Sequence, residues 1–144
     1  MRPTTKAGRP NGDSRRAGLG LVAAALAGAA PIGAIGEAAE PIVPTIPWTE
    51  TAIHLRTQHY NARRFNCPPV DDARLFAVWG TDIYTDHSSI CAAAVHAGII
   101  TGDGGHVTIQ EVDGLENYDA TARNGVASRH FGAWFFSFQF IPSR

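Results

Sequence analysis

The apolar positions of this chain fall into three patterns. From Leu19 to Ile35 they form an almost unbroken run of Ala, Gly, Leu, Val and Ile. From Trp48 onward they alternate with polar residues at the two-residue period of half-buried strands. That period predicts strands over Trp48–Leu55, Phe65–Cys67, Leu75–Tyr84, His106–Gln110, Val126–Ser128 and Trp134–Phe140. Gln58–Arg64 would be the polar turn of a hairpin joining the first two, with Pro68-Pro69 ending the second. Gly80 predicts a bend, and Asn124-Gly125 predicts a two-residue turn with positive φ at both positions. Gly102, Gly104 and Gly105 mark another tight turn, and Tyr118 anchors the loop 113–122. Phe136, Phe138 and Phe140 share one face of the last strand.

The third pattern is Tyr84–Ile100, read as a single short helix. Asp86 or Ser88 can cap its first turn, as can Ser89, and Gly98 stops it. After Asp86 it has no charged face, and Ile90, Cys91, Ala92, Ala93, Ala94, Val95, His96 and Ala97 leave it apolar on every side. Such a helix is buried all round. About six short strands and one buried helix make an α+β domain.

Composition changes the picture at the N-terminus. Arg15-Arg16 precede the apolar run, and Gly36 and Ala38 suit a signal-peptidase site. Residues 1–38 are therefore expected to be an export signal, and Ser14–Leu19 also resembles a twin-arginine signal. Residues 39–47 form a Pro-rich lead-in, and 48–144 the domain. Beyond residue 38 there are seven arginines, no lysine and eleven acids, a net charge of −4 with His neutral. Nucleic acid, which demands clustered positive charge, is not an expected partner, and no transmembrane span is expected in the mature chain. Cys67 and Cys91 are the two cysteines, and in an exported chain they predict one disulfide. The expected location is the periplasm or the cell exterior.

Val78-Trp-Gly-Thr-Asp-Ile-Tyr-Thr-Asp-His-Ser-Ser-Ile-Cys-Ala-Ala-Ala-Val-His-Ala-Gly-Ile-Ile100 resembles the signature of the LCCL family. The resemblance continues through Gly104-Gly105, Val107-Thr108, Tyr118, Asn124-Gly125-Val126, Ser128 and Trp134…Ser137-Phe138, and includes Tyr84, Ser88, Ser89, His96 and Gly98 as motif positions. It implies a single exported, non-catalytic module whose central helix is enclosed by two small antiparallel β-sheets. Many animal members carry four cysteines, so of their bridges only the one reaching Cys91 carries over. The family is associated with extracellular recognition, including lipopolysaccharide and other glycans.

The residues an enzyme could use each have a plainer role. A Cys91–His96 pair is rotated by about 140° on a helix, and a Ser88–His96 pair is two turns apart. His96 is expected to be buried and bonded to a neighbouring loop. His54, His59, His87, His96, His106 and His130 are scattered, so no metal and no cofactor are expected. Asp82 and Asp86 lack the oxygen-rich loop of a calcium site, and Asp103 is a turn residue. Trp48, Trp79 and Trp134 could stack on sugars, but Trp in so small a domain belongs more often to the core. The expectation is a binding module for a glycan, envelope lipid or protein, acting through loops around Arg63, Asp103 and Arg123. The alternatives are a small hydrolase using His96 or His87, and a purely structural envelope domain.

Overall fold

The computed structural model describes residues 38–142 and, upstream, the glycines at 20, 28, 33 and 36. The expected export signal lies almost wholly outside the described residues. The chain divides into two units, Met1–Ala39 and Glu40–Arg144, and the second has the following architecture. In chain order it contains β1 (Ala62–Cys67), β2 (Gly80–Thr81), β3 (Ile83–Thr85), α1 (Ile90–His96), β4 (Gly105–Asp113), β5 (Ala122–Arg123), β6 (Val126–Ala127) and β7 (Phe136–Phe140). It is an α+β domain with one helix and two antiparallel sheets.

Helix α1 is shorter than Tyr84–Ile100. Ser89 is its N-cap, its Oγ accepting from Ala92 N at 3.1 Å. Asp86 and Ser88 do other work: Ser88 Oγ accepts from Trp79 N at 2.9 Å, and Tyr84 lies on β3. Gly98 stops the helix with φ 76°. Gly98 N donates to Val95 O and Ile99 N to Ala94 O, both at 2.9 Å, a pairing that satisfies the last carbonyls. Every residue from Ile90 to His96 is buried.

The larger sheet runs β1-β4-β7-β3-β2, and β5-β6 form the smaller one. Asn124 (φ 51°) and Gly125 (φ 79°) turn between β5 and β6. Phe65 lies opposite Val107, Ile109 opposite Phe140, and Phe138 opposite both Glu111 and Tyr84. Directly opposed residues share a sheet face, so these side chains share the face on which Cys67 bonds to Cys91 of α1. On the other face, the buried Ser137 hydroxyl meets Tyr118, whose hydroxyl also accepts from Leu115 N at 2.9 Å.

Three expectations are corrected. Trp48–Leu55 is not a strand: it turns at Pro47–Glu50 and ends in a 3-10 turn over Ile53–Leu55. Its buried residues are Trp48, Ala52 and Leu55, a helical spacing that alternation overlooked. Consequently β1 pairs with β4 and not with a hairpin partner. Leu75–Tyr84 is likewise no single strand: a 3-10 turn covers Ala73–Leu75, and Asp82 (φ 65°) folds β2 back on β3. Gly80 at φ 100° supplies the bend; a Cβ there would stand 2.4 Å from Ile83 O. The strands number seven among the described residues. The lead-in is extended at its end, where Asn66 N donates to Pro44 O at 2.9 Å and Ile46 N to Asn66 O at 3.0 Å.

Candidate functional site

The motif residues come together around His96. Tyr84 Oη is 2.9 Å from His96 Nδ1. His96 Nε2 is 3.1 Å from both the carbonyl and the hydroxyl oxygen of Thr121. A carbonyl oxygen only accepts, so Nε2 carries the proton and Nδ1 accepts from the Tyr84 hydroxyl. Burial pushes the Tyr84 phenol up to about 12, so it stays a donor. Asn124 Nδ2 donates to His96 O at 3.0 Å. The imidazole is 0% exposed and both nitrogens are engaged. Cys91 is oxidised, and Ser89 Oγ donates to Trp48 O at 2.6 Å. These groups join α1 to β3 and to the strand pair β5–β6.

A second polar cluster lies at another corner, around Asp86. This carboxylate is 0% exposed, yet three side chains converge on it. Arg56 Nε donates to Oδ2 at 2.5 Å and Trp134 Nε1 to Oδ1 at 2.9 Å, while His87 Nδ1 stands 3.4 Å from Oδ1. The Arg56 guanidinium lies 4.6 Å from the Phe136 ring centre and 5.8 Å from that of Trp134. His87 packs on Trp134 at 4.7 Å, and His59 on Phe136 at 6.1 Å. Glu111 is buried at the same corner, and burial raises its carboxyl above the usual glutamate value against the opposing pull of His59 and Arg56.

The three candidate loop residues separate. Arg63 is on β1 and not in a loop, at the exposed edge of the sheet. Asp103 is in the Thr101–Gly104 turn, accepting from Thr101 Oγ1 at 3.3 Å. Arg123 pairs with Asp82 at 2.7 Å. The turns carrying Asp103 and Arg123 do approach one another: Gly102 and Asn124 line a common open depression of about 370 Å³ with Asp71, Asp72 and Val95. Among the described residues no three His, Cys, Asp or Glu side chains are grouped to hold a metal. Trp48 is core, with Nε1 donating to Pro68 O at 2.8 Å; Trp79 and Trp134 are half-buried.

Sequence reasoning missed Arg56 and Glu111 altogether. Glu111 had a visible signal, since Val107, Ile109 and Glu111 occupy alternate positions and the third must share the buried face of the other two. Arg56 had none, because its partner is 30 residues away.

The model of the LCCL domain matches residues 46–138, which takes in both clusters, the disulfide and all seven strands but for the last two residues of β7. The chain belongs to the LCCL family. Human vitrin is 36% identical over 78 residues, which are 54% of this chain and 12% of vitrin. Human cochlin is 40% identical over 72 residues, 50% of this chain and 13% of cochlin. Human cysteine-rich secretory protein LCCL domain-containing 2 is 45% identical over 73 residues, 48% of this chain and 15% of that protein. The LCCL domain here thus spans a small share of these relatives' lengths. Among its described residues no helix is long and apolar enough to cross a membrane.

Proposed function

We propose that this LCCL domain is an exported, non-catalytic binding module that recognises a glycan, an envelope lipid or a protein. The observation that carries this reading is the state of the groups an enzyme would need. His96 spends both nitrogens on Tyr84 and Thr121, and Cys91 is in a disulfide. Ser88 is held by Trp79, and Ser89 caps the helix. Nucleophilic catalysis requires an accessible nucleophile beside a free base, and these groups are structural. The disulfide agrees with an oxidising compartment, and one relative bears the name of a secretory protein. Export would use residues 1–38.

The test is an array of glycans, envelope lipids and co-resident envelope proteins probed with the exported protein. The expected result is saturable binding to one class with no turnover of ester, amide or glycoside substrates. Turnover abolished by His87→Ala would replace this reading with the hydrolase one, and blanks in all three ligand classes would favour a purely structural domain.

A further inference from the structure

The larger sheet gives β1 one strand neighbour, β4, so its other side is an edge. The register fixes which backbone groups face outward there. Thr108 O accepts from Ile141 N at 3.0 Å, which turns the Thr108 main chain toward the β7 side. Residues of an antiparallel pair alternate between exchanging bonds and facing away from each other. Arg64 lies opposite Thr108, and Ala62 lies opposite Gln110 two residues on. The N–H and C=O of Ala62 and Arg64 therefore point out of the sheet, and Ala62, Arg63 and Arg64 are all exposed. Asn66 is the next residue in the same alternation, and its main chain is already engaged. It donates to Pro44 O at 2.9 Å and accepts from Ile46 N at 3.0 Å.

The chain's own lead-in stops there for a chemical reason. Thr45 bridges Asn66 in parallel. One step further, Arg64 O would accept from the nitrogen of residue 44, which is Pro44 and carries no hydrogen. Upstream the chain leaves the sheet, with Ile42 95% exposed. Charge then says what kind of strand the open edge admits. On a domain of net charge −4 this is a basic stretch. Arg56, Arg74 and Arg123 each face a carboxylate, and Arg129 lies over Trp79. Arg63 and Arg64 have no such partner among the described residues, and Arg64 Nη2 stands 3.3 Å from His106 Nδ1. Cross-strand neighbours of opposite charge attract, and like charges directly opposite repel. A second copy pairing through the same edge would set arginine against arginine, whereas an acidic strand meets both guanidinium groups.

We propose that the β1 edge docks an acidic, extended peptide segment of a partner protein as an added strand. The partner's main chain bonds the outward N–H and C=O groups of Ala62 and Arg64, the pairing that strand addition uses for affinity. Its carboxylates flank the strand and meet Arg63 on one face and Arg64 on the other, because successive side chains alternate. Pro44 keeps the lead-in from closing the edge. The proposal rests on the binding-module reading and names the partner and the mode of contact.

The experiment titrates the ¹⁵N-labelled exported protein with the capped peptide Glu-Thr-Glu-Thr-Glu-Thr, its lysine counterpart, and a backbone N-methylated copy of the acidic one. The expected result is a saturable shift of the Ala62, Arg63 and Arg64 amides with the acidic peptide and none with the basic one. The Arg64 amide should exchange freely in the unbound protein and become protected in the complex. Ala62→Pro removes an outward N–H that the β4 ladder does not use, so it should weaken binding roughly threefold or more. Arg63→Gln with Arg64→Gln should weaken it by a similar factor and flatten its salt dependence. The N-methylated peptide keeps the charge, loses the main-chain donors, and should bind roughly tenfold more weakly or worse; it tests the mode even where Ala62→Pro does not fold. Equal affinity for the N-methylated peptide reduces the contact to charge alone and overturns strand addition. Protection of the Arg64 amide in the unbound protein assigns the edge to the lead-in. Shifts that follow protein concentration alone assign it to a second copy. Either overturns the proposal. No binding of the acidic peptide overturns it too, and leaves the binding module standing if the array finds another ligand; blanks in both experiments remove the module reading as well.

Discussion

Glu111 and Asp86 are two carboxylates with similar burial and opposite provision. Asp86 has Arg56 and Trp134, whereas Glu111 has none within bonding reach, and burial raises its carboxyl above the usual glutamate value. A raised carboxyl means that the folded state holds its proton more tightly than the unfolded chain does. The associated stability is present in full below the unfolded glutamate value and is lost as pH rises through the folded one. Denaturant melts across that acid range should show wild-type stability falling relative to Glu111→Gln, which keeps the shape and does not ionise. Equal slopes for the two proteins would mean that Glu111 titrates normally. Its place on the core face was readable from the Val107-Ile109-Glu111 alternation. Its lack of a partner was not, because hydrogen bonding depends on segments distant in the chain.

The elements divide by how local their causes are. Gly98 and the Asn124-Gly125 turn were readable because one or two residues impose the backbone conformation. Ser89 caps the helix for a similarly local reason. The strand expected over Trp48–Leu55 failed because its polar–apolar mixture fits either period, and packing of Trp48, Ala52 and Leu55 into the core decided for a turn. The hairpin expected with it failed for the same reason, since β1 found β4 about 40 residues on. His96 is the clearest case of an element-level role, joining α1 to β3 through Tyr84 and to the loop before β5 through Thr121. His96→Gln cannot keep both bonds at once. The expected loss is about 1–3 kcal/mol, a fall of several degrees in Tm by calorimetry. A variant with unchanged Tm and altered chemistry would reassign His96 to catalysis.

The domain as a whole is small, and a modest core leaves little reserve of stability. The covalent link between β1 and α1 closes 24 residues of chain separation, which restricts the unfolded ensemble by roughly 3 kcal/mol in the chain-entropy model. Replacing both cysteines, Cys67→Ser with Cys91→Ser, should lower unfolding free energy by about that amount in urea melts. A loss near zero would locate the stability elsewhere in the core. At this scale the sequence carried the fold class, the buried helix and the cysteine pairing. The polar corner remained invisible because it joins residues from the turn after Leu55, the start of the helix approach, β4 and β7. Only the folded sheet brings Arg56, Asp86, Glu111 and Trp134 to one corner.

A helix with no outside reverses the usual map of where a protein can change. On most helices half the positions face water and drift freely; on α1 none does. Ala92, Ala93 and Ala94 are all 0% exposed, and each added methylene in a filled interior costs about 1–3 kcal/mol in strain. A deep mutational scan would therefore show α1 as an unbroken band of intolerance. Tolerance would return along the exposed Glu116–Asn117 loop. The segment poorest in chemistry would be the least free to vary, and the domain's sequence diversity would fall on the loops around it.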